Sequence, residues 1–219
     1  MQEPTRIIAV RHGETSWNVD GRIQGHRDIA LNGTGRWQAQ QLAVALASEP
    51  PATVYSSDLR RAMETAAEIA HRTHLPVVAD PRLRERCFGR YEGRTFAQVE
   101  QEAPEHALRW RRRDPEYAPP GGESLNSLRD RIAETIDDVA ARHAGELVVL
   151  VAHGGVMDVL YRLATRQHLQ AARHPGEKAG DGEGRHAEQV HVIAQKAQAV
   201  AVLAQAQCQP ARRRPRMEM

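Results

Sequence analysis

The chain has only two cysteines, Cys87 and Cys208, only two lysines, Lys178 and Lys196, and no aromatic residue beyond Tyr161. Two cysteines so far apart, with no CxxC pair, argue against a disulfide framework and a thiolate metal site, and a reducing cytoplasm is the expected location. No 18 consecutive apolar residues occur, and MQEPTR leads into the first apolar run without the regions of a signal peptide. Neither a membrane partner nor export is therefore expected. Charge of one sign is also missing: residues 1–174 hold 23 arginines against 23 acidic residues, and the formal surplus of +2 lies beyond them. With no global basic field, nucleic acid is not an expected partner.

What the 219 residues do contain, at 41% hydrophobic and 26% charged, is enough for one sizeable core. The run IIAV at 7–10 closes directly in Arg11-His12-Gly13-Glu14, and ELVVLVA at 146–152 closes in His153-Gly154-Gly155. Uninterrupted apolar runs of this length read as strands buried on both faces, the pattern of a parallel sheet. TVYSS at 53–57 and residues 76–79 add two more. Helices are predicted over 33–47, 58–71, 96–102, 105–113, 124–144 and 156–165, with residues 18–32 and 82–93 as loops. The second helix carries an apolar stripe of Leu59, Ala62, Met63, Ala66 and Ile69, with Ser57 or Asp58 as its cap. The fold expected is a three-layer α/β/α sandwich around a mostly parallel sheet, a single domain over 1–174. Residues 175–219, with a GEKAGDGEG run, an Ala/Gln-rich stretch and a basic end, read as a flexible tail or a loosely docked helix with no final strand.

In open α/β sheets ligands bind at the carboxyl ends of strands, where this chain twice places histidine before glycine. Such a crevice suits a phosphoryl group. Arginine forks match its oxygens, and Arg11 and Arg61 are the candidates, Arg61 in the first turn of a helix whose positive end also favours an anion. His12 can supply a neutral imidazole nitrogen as nucleophile, and His153, as a donor when protonated, can stabilise the equatorial charge. The alkoxide leaving group needs a proton, and Glu85 in the 82–93 loop is the candidate general acid. The glycines let backbone approach the ligand. His71 and His74 have no third ligand and read as structural, while Arg109 and Arg111 to Arg113 around Trp110 read as a charged helix face.

Five stretches, RHGETSWN at 11–18, SSDLRRAMETA at 56–66, LRERCFGRYEG at 83–93, PGGES at 120–124 and VAHGGV at 151–156, resemble the histidine phosphatase superfamily in order and spacing. The branch resembled includes the cofactor-dependent phosphoglycerate mutases. That resemblance, over about residues 5–170, implies an α/β/α sandwich, phosphorylation of His12, a phosphate pocket completed by Arg11, Arg61 and His153, and Glu85 as proton donor. It further implies that Asn18, Thr15, Gln24 and Gly25 line the rim, and that no metal or cofactor is needed. The family's usual final strand, with its short Asn-containing stretch, has no counterpart in the sequence after His174.

The function expected is a phosphomonoesterase acting on a small phosphorylated metabolite through a phosphohistidine. A phosphoglycerate mutase is the alternative, although LRERCFGRYEGRTF and the short 100–120 region look more like the phosphatases. A non-catalytic phosphate-binding or regulatory protein is the third reading. The natural substrate and the oligomeric state stay open.

Overall fold

The computed structural model describes residues 3–171 and 199–202. Strands β1 (Arg6–Arg11), β2 (Thr53–Ser56), β3 (Val77–Ala79), β4 (Leu147–Ala152) and β5 (Ala199–Val202) form one sheet in the order β3-β2-β4-β1-β5. The first four are parallel, and β5 runs antiparallel along the outer side of β1. Seven α-helices occur among the described residues: α1 (Ser16–Val19), α2 (Gly33–Leu46), α3 (Arg60–Thr73), α4 (Phe96–Glu102), α5 (Pro104–Arg111), α6 (Leu125–Arg142) and α7 (Gly154–Thr165).

Successive side chains of a strand point to opposite faces, and β4 shows what that does to an all-apolar run. Val148, Leu150 and Ala152 enter one core with Leu128, Ile132 and Val139 of α6 and Val156 and Leu160 of α7. Val149 and Val151 enter a second with Leu42 and Leu46 of α2 and Ala62, Ala66 and Ile69 of α3. Both faces of the sheet are covered, which gives the three layers. Helices α2 and α7 follow the adjacent strands β1 and β4 yet lie on opposite faces, which makes the carboxyl ends of those two strands the switch point at which open α/β sheets bind ligands. The parallel register aligns Arg11 with Ala152, so that His12 and His153 follow at the same level.

Four local expectations change. The 18–32 loop begins inside a short helix, α1. Neither Ser57 nor Asp58 caps α3, whose N-cap is Leu59. The Arg60 amide is instead taken by the Asp28 carboxylate at 2.6 Å, while Asp58 pairs with Arg84 and is held below its ordinary pKa chiefly by that guanidinium's hydrogen bonds. Helix α7 starts at Gly154 rather than 156, because His153 is the extended residue before it. Residues 199–202 form a strand where none was expected: Ala-Val-Ala-Val lacks polar alternation, yet backbone pairing along β1 needs none, and it covers an edge of the sheet. The flexible-tail reading of 175–219 otherwise falls on residues outside those described.

A smaller cluster of Ile23, Tyr91 and Val99 joins the 82–93 loop to α4. Trp110 stacks on Phe88 there, with ring centroids 4.8 Å apart. The arginines around Trp110 pair with carboxylates: Arg109 with Asp114, Arg111 with Glu100 and Arg113 with Asp158.

Candidate active site

His12 leaves β1 on the α3 face of the sheet and is buried. Its Nδ1 lies 2.7 Å from the carbonyl oxygen of Gly13, which can only accept, so Nδ1 carries the hydrogen. In a neutral ring Nε2 then holds a free electron pair, and it accepts from Nε of Arg61 at 3.2 Å. Burial, reinforced by the charges of Arg11 and Arg61, holds the His12 pKa well below its ordinary 6.5. The ring is therefore neutral, with its Nε2 electron pair facing Arg61. A Cβ on Gly13 would run into the backbone of Gly35, so glycine here lets α2 press against the turn that carries His12.

Arg61, at the start of α3, is fully buried. An interior guanidinium costs several kcal/mol unless its hydrogens find acceptors. Two carbonyls of one loop provide them, Arg27 at 2.7 Å and Gly25 at 2.8 Å. Gly25 can present its carbonyl this way because it sits in the left-handed region, at φ 51°.

His153 is the residue before α7 and is likewise buried. Its ring centroid lies 5.1 Å from that of His12. Burial, then the charges of Arg61 and Arg11, hold its pKa well below 6.5. Neither of its ring nitrogens has a hydrogen-bond partner among the described residues, and the same is true of Nε of Arg11.

The Glu85 carboxyl accepts from the amide of Arg86 at 2.8 Å and from the amide of Gly155 at 3.0 and 3.1 Å to its two oxygens. That second contact follows from the early start of α7, which leaves the Gly155 amide unused by the helix. A side chain at Gly155 would collide with Oε1 of Glu85. Five of the predicted residues, Arg11, His12, Arg61, Glu85 and His153, thus gather around the ends of β1 and β4.

The rim residues divide. Thr15 and Asn18 form the reciprocal cap of α1, with the Thr15 amide and hydroxyl donating to Oδ1 of Asn18 at 2.9 and 3.0 Å. Gly25 is a backbone anchor for Arg61. Gln24 is buried with both atoms of its amide lacking a partner among the described residues. Glu92 has a bracing part, accepting from the amides of His26 at 2.9 Å and Phe88 at 3.1 Å.

Two braces escaped the sequence reading. Arg86 is buried and donates to the carbonyls of Glu123 and Tyr117, both at 2.7 Å, and burial pulls its pKa down to about 10. Glu123 accepts two hydrogen bonds from Arg131, which also donates to the carbonyls of Arg82 and Arg84. Both lie inside quoted motifs, and the available signal was an arginine and a glutamate in stretches too rich in glycine and aromatics to be simple surface. Among the described residues no group of three His, Cys, Asp or Glu side chains is arranged to hold a metal ion, and no helix is long and apolar enough to cross a membrane.

Residues 7–180 match the family model described as histidine phosphatase superfamily, branch 1. The chain is 45% identical over 162 residues to phosphoglycerate mutase-like protein 4 of Arabidopsis thaliana, covering 72% of this chain and 70% of that one. It is 40% identical over 167 residues to the metal-independent phosphoserine phosphatase of the same plant, covering 75% and 70%. Among solved structures, a mycobacterial glucosyl-3-phosphoglycerate phosphatase complexed with VO3 superposes with a TM-score of 0.70 at 39% identity, covering 75% of this chain and 82% of the other.

Proposed function

The chain belongs to branch 1 of the histidine phosphatase superfamily, and from that premise we propose that it is a phosphomonoesterase which hydrolyses a small phosphorylated metabolite through a phosphohistidine at Nε2 of His12. The observation that carries the reading is the buried, neutral His12 ring, with Nδ1 protonated, Nε2 facing Arg61, and Arg11 and His153 beside it. The Nε2 electron pair attacks phosphorus as the ester P–O bond breaks. Arg61 transfers its Nε–H from His12 to a phosphoryl oxygen, and Arg11 and His153 donate to the others, with most of the rate coming from this positioning and charge stabilisation. The dianion favours the protonated form of His153 as it arrives. Glu85 gives its proton to the leaving alkoxide, then takes one from a water whose oxygen attacks phosphorus as the P–N bond breaks, which releases phosphate and returns the electron pair to Nε2 of a neutral His12.

No metal or cofactor has a part in this scheme, in keeping with the relative whose name calls it metal-independent. Relatives named for phosphoserine and for glucosyl-3-phosphoglycerate support a small phosphorylated metabolite as substrate. In this reading the catalytic unit is residues 1–174, with β5 along its edge, and its cytoplasmic location rests on the cysteine usage.

The test is incubation with p-nitrophenyl phosphate and a rapid quench, with and without a strong chelator. Steady release of phosphate, chelator-insensitive, and a trapped enzyme whose phosphate is lost in acid but kept in alkali are expected. A chain that binds phosphate without turnover overturns the reading in favour of a regulatory protein, and transfer within a phosphoglycerate in place of release overturns it in favour of a mutase.

A further inference from the structure

Thr65, one turn along α3 from Arg61, is buried and has no part in the scheme above. Its hydroxyl oxygen accepts from the amide of Gly13 at 3.1 Å and donates to the carbonyl of Arg61 at 2.8 Å. With the two contacts of the His12 ring, these bonds close a cycle. Nε of Arg61 donates to His12, Nδ1 of His12 donates to the Gly13 carbonyl, the Gly13 amide donates to Thr65, and Thr65 donates to the Arg61 carbonyl. Every bond runs in the same direction. Reversing one donor would leave the next group facing a donor with a donor, because the Gly13 and Arg61 carbonyls can only accept and the guanidinium can only donate. Bonds that polarise one another in this way are mutually strengthening, and a broken link leaves a buried group unsatisfied.

We propose that Thr65 is a positioning residue that closes this cycle and thereby holds His12 in the tautomer with Nδ1 protonated and Nε2 nucleophilic. Gly13 is held by two handles, its amide, in the peptide from His12, fixed by Thr65, and its carbonyl, in the peptide to Glu14, fixed by the His12 ring. Without the hydroxyl the Gly13 amide is left unsatisfied in the interior and turns to find another acceptor. Turning that amide rotates the backbone about Gly13, whose φ and ψ resist little, and shifts the Gly13 carbonyl that selects the tautomer. The same hydroxyl ties the β1 turn to α3, so His12 and Arg61 keep their mutual distance through one atom. The assignment of a catalytic part to Nε2 rests on the function proposed above, whereas the tautomer itself does not.

The experiment compares wild type, Thr65→Val, which keeps the shape and removes the hydroxyl, and Thr65→Ser, which keeps the hydroxyl. The ring ¹⁵N signals of His12, assigned by their loss in His12→Asn, report the tautomer directly in protein free of substrate. Wild type and Ser are expected to show a protonated Nδ1 and a bare Nε2, and Val a mixture. Turnover of p-nitrophenyl phosphate should fall about 10- to 100-fold in Val, chiefly in kcat, and return to within about threefold of wild type in Ser. Trapped phosphate should sit on Nε2 alone in wild type and be divided between the ring nitrogens in Val. Wild-type ¹⁵N signals in the Val variant overturn the proposal, as does a loss in Ser equal to that in Val. Failure of the functional reading is a separate result, a wild-type protein with the expected tautomer that forms no phosphohistidine. Should Val not fold, the Ser variant against Thr65→Ala decides, with Ala expected to show the mixed tautomer and Ser the wild-type one.

Discussion

At the end of β1 both ring nitrogens of His12 are engaged, one by the Gly13 carbonyl and one by Arg61. At the end of β4, 5.1 Å away, neither ring nitrogen of His153 has a partner among the described residues. The two sites share a sequence pattern, a strand type, a depth of burial and a neutral ring. The difference lies in what holds them. In the proposed scheme the nucleophile must offer one particular electron pair, so its tautomer has to be fixed before substrate arrives, and the Gly13 carbonyl and Arg61 are placed to do so. A group that stabilises developing charge must keep a donor uncommitted, and a buried polar atom left that way costs about 1–3 kcal/mol of stability. A phosphoryl oxygen between the rings would offset that cost, which places the favourable interaction where the reaction occurs.

The strongest test of this division replaces each histidine with asparagine. His12→Asn removes the covalent route and should lower kcat on p-nitrophenyl phosphate by about 10⁴-fold or more, the scale on which loss of a nucleophile acts. His153→Asn keeps the route and loses one charge-stabilising donor, so a decrease of about 10²- to 10³-fold is expected. Steady-state kinetics on both variants checks the order. If His153→Asn is the more damaging, the two roles have been exchanged and the bonding pattern does not predict function.

A smaller effect separates Glu85 from both rings. Its carboxyl sits on the amide of Gly155, the second residue of α7, so Glu85, the proposed proton donor, is anchored two residues beyond His153. Glu85→Gln keeps the shape but cannot transfer a proton. The variant should hydrolyse an alkyl phosphate about 100-fold more slowly or worse, and p-nitrophenyl phosphate, whose leaving group needs little protonation, within about tenfold of wild type. Equal losses on the two esters would show that Glu85 only braces α7.

The strands and their ends were legible because β1 and β4 are apolar on both faces, and Arg11-His12-Gly13 and His153-Gly154-Gly155 stand out against such runs. Arg61 was legible as a first-turn arginine. Its acceptors were not, since the carbonyls of Gly25 and Arg27 belong to backbone, whose geometry no residue letter encodes. Thr65 was hidden for a related reason: in sequence it is one polar residue on a helix, and only the approach of β1 to α3 gives its hydroxyl two partners. Asp28 was passed over as the anchor of the Arg60 amide because it lies 32 residues away, while Ser57 and Asp58 were local and of the right type. Strand β5 was missed because an edge strand made of alanine and valine is bound chiefly through backbone and leaves little periodicity.

The smallest predicted effect concerns a property that the two histidines share in spite of their different bonding. Burial is the first cause of the depressed pKa in each, with arginine charges adding to it. In the unfolded chain both rings titrate near the ordinary 6.5, so as pH falls through that value the unfolded state takes up protons that the folded state does not, and stability declines with them. Above 6.5 both states carry neutral rings and the effect vanishes. Between pH 7.0 and 5.5 each ring should contribute a loss of stability on the order of 1 kcal/mol. Carboxylates such as Asp58, whose pKa is held below 3.8 by Arg84, lose their contribution only at lower pH and do not intrude. Urea unfolding of wild type, His12→Asn and His153→Asn at the two pH values, in buffer free of phosphate, measures the slope. Each substitution should remove about half of the histidine contribution, whatever it does to absolute stability. A variant that keeps the full wild-type slope would mean that its missing ring takes up a proton in the folded protein as readily as in the unfolded chain, and for His12 that result would remove the protection of the electron pair on which the nucleophile depends.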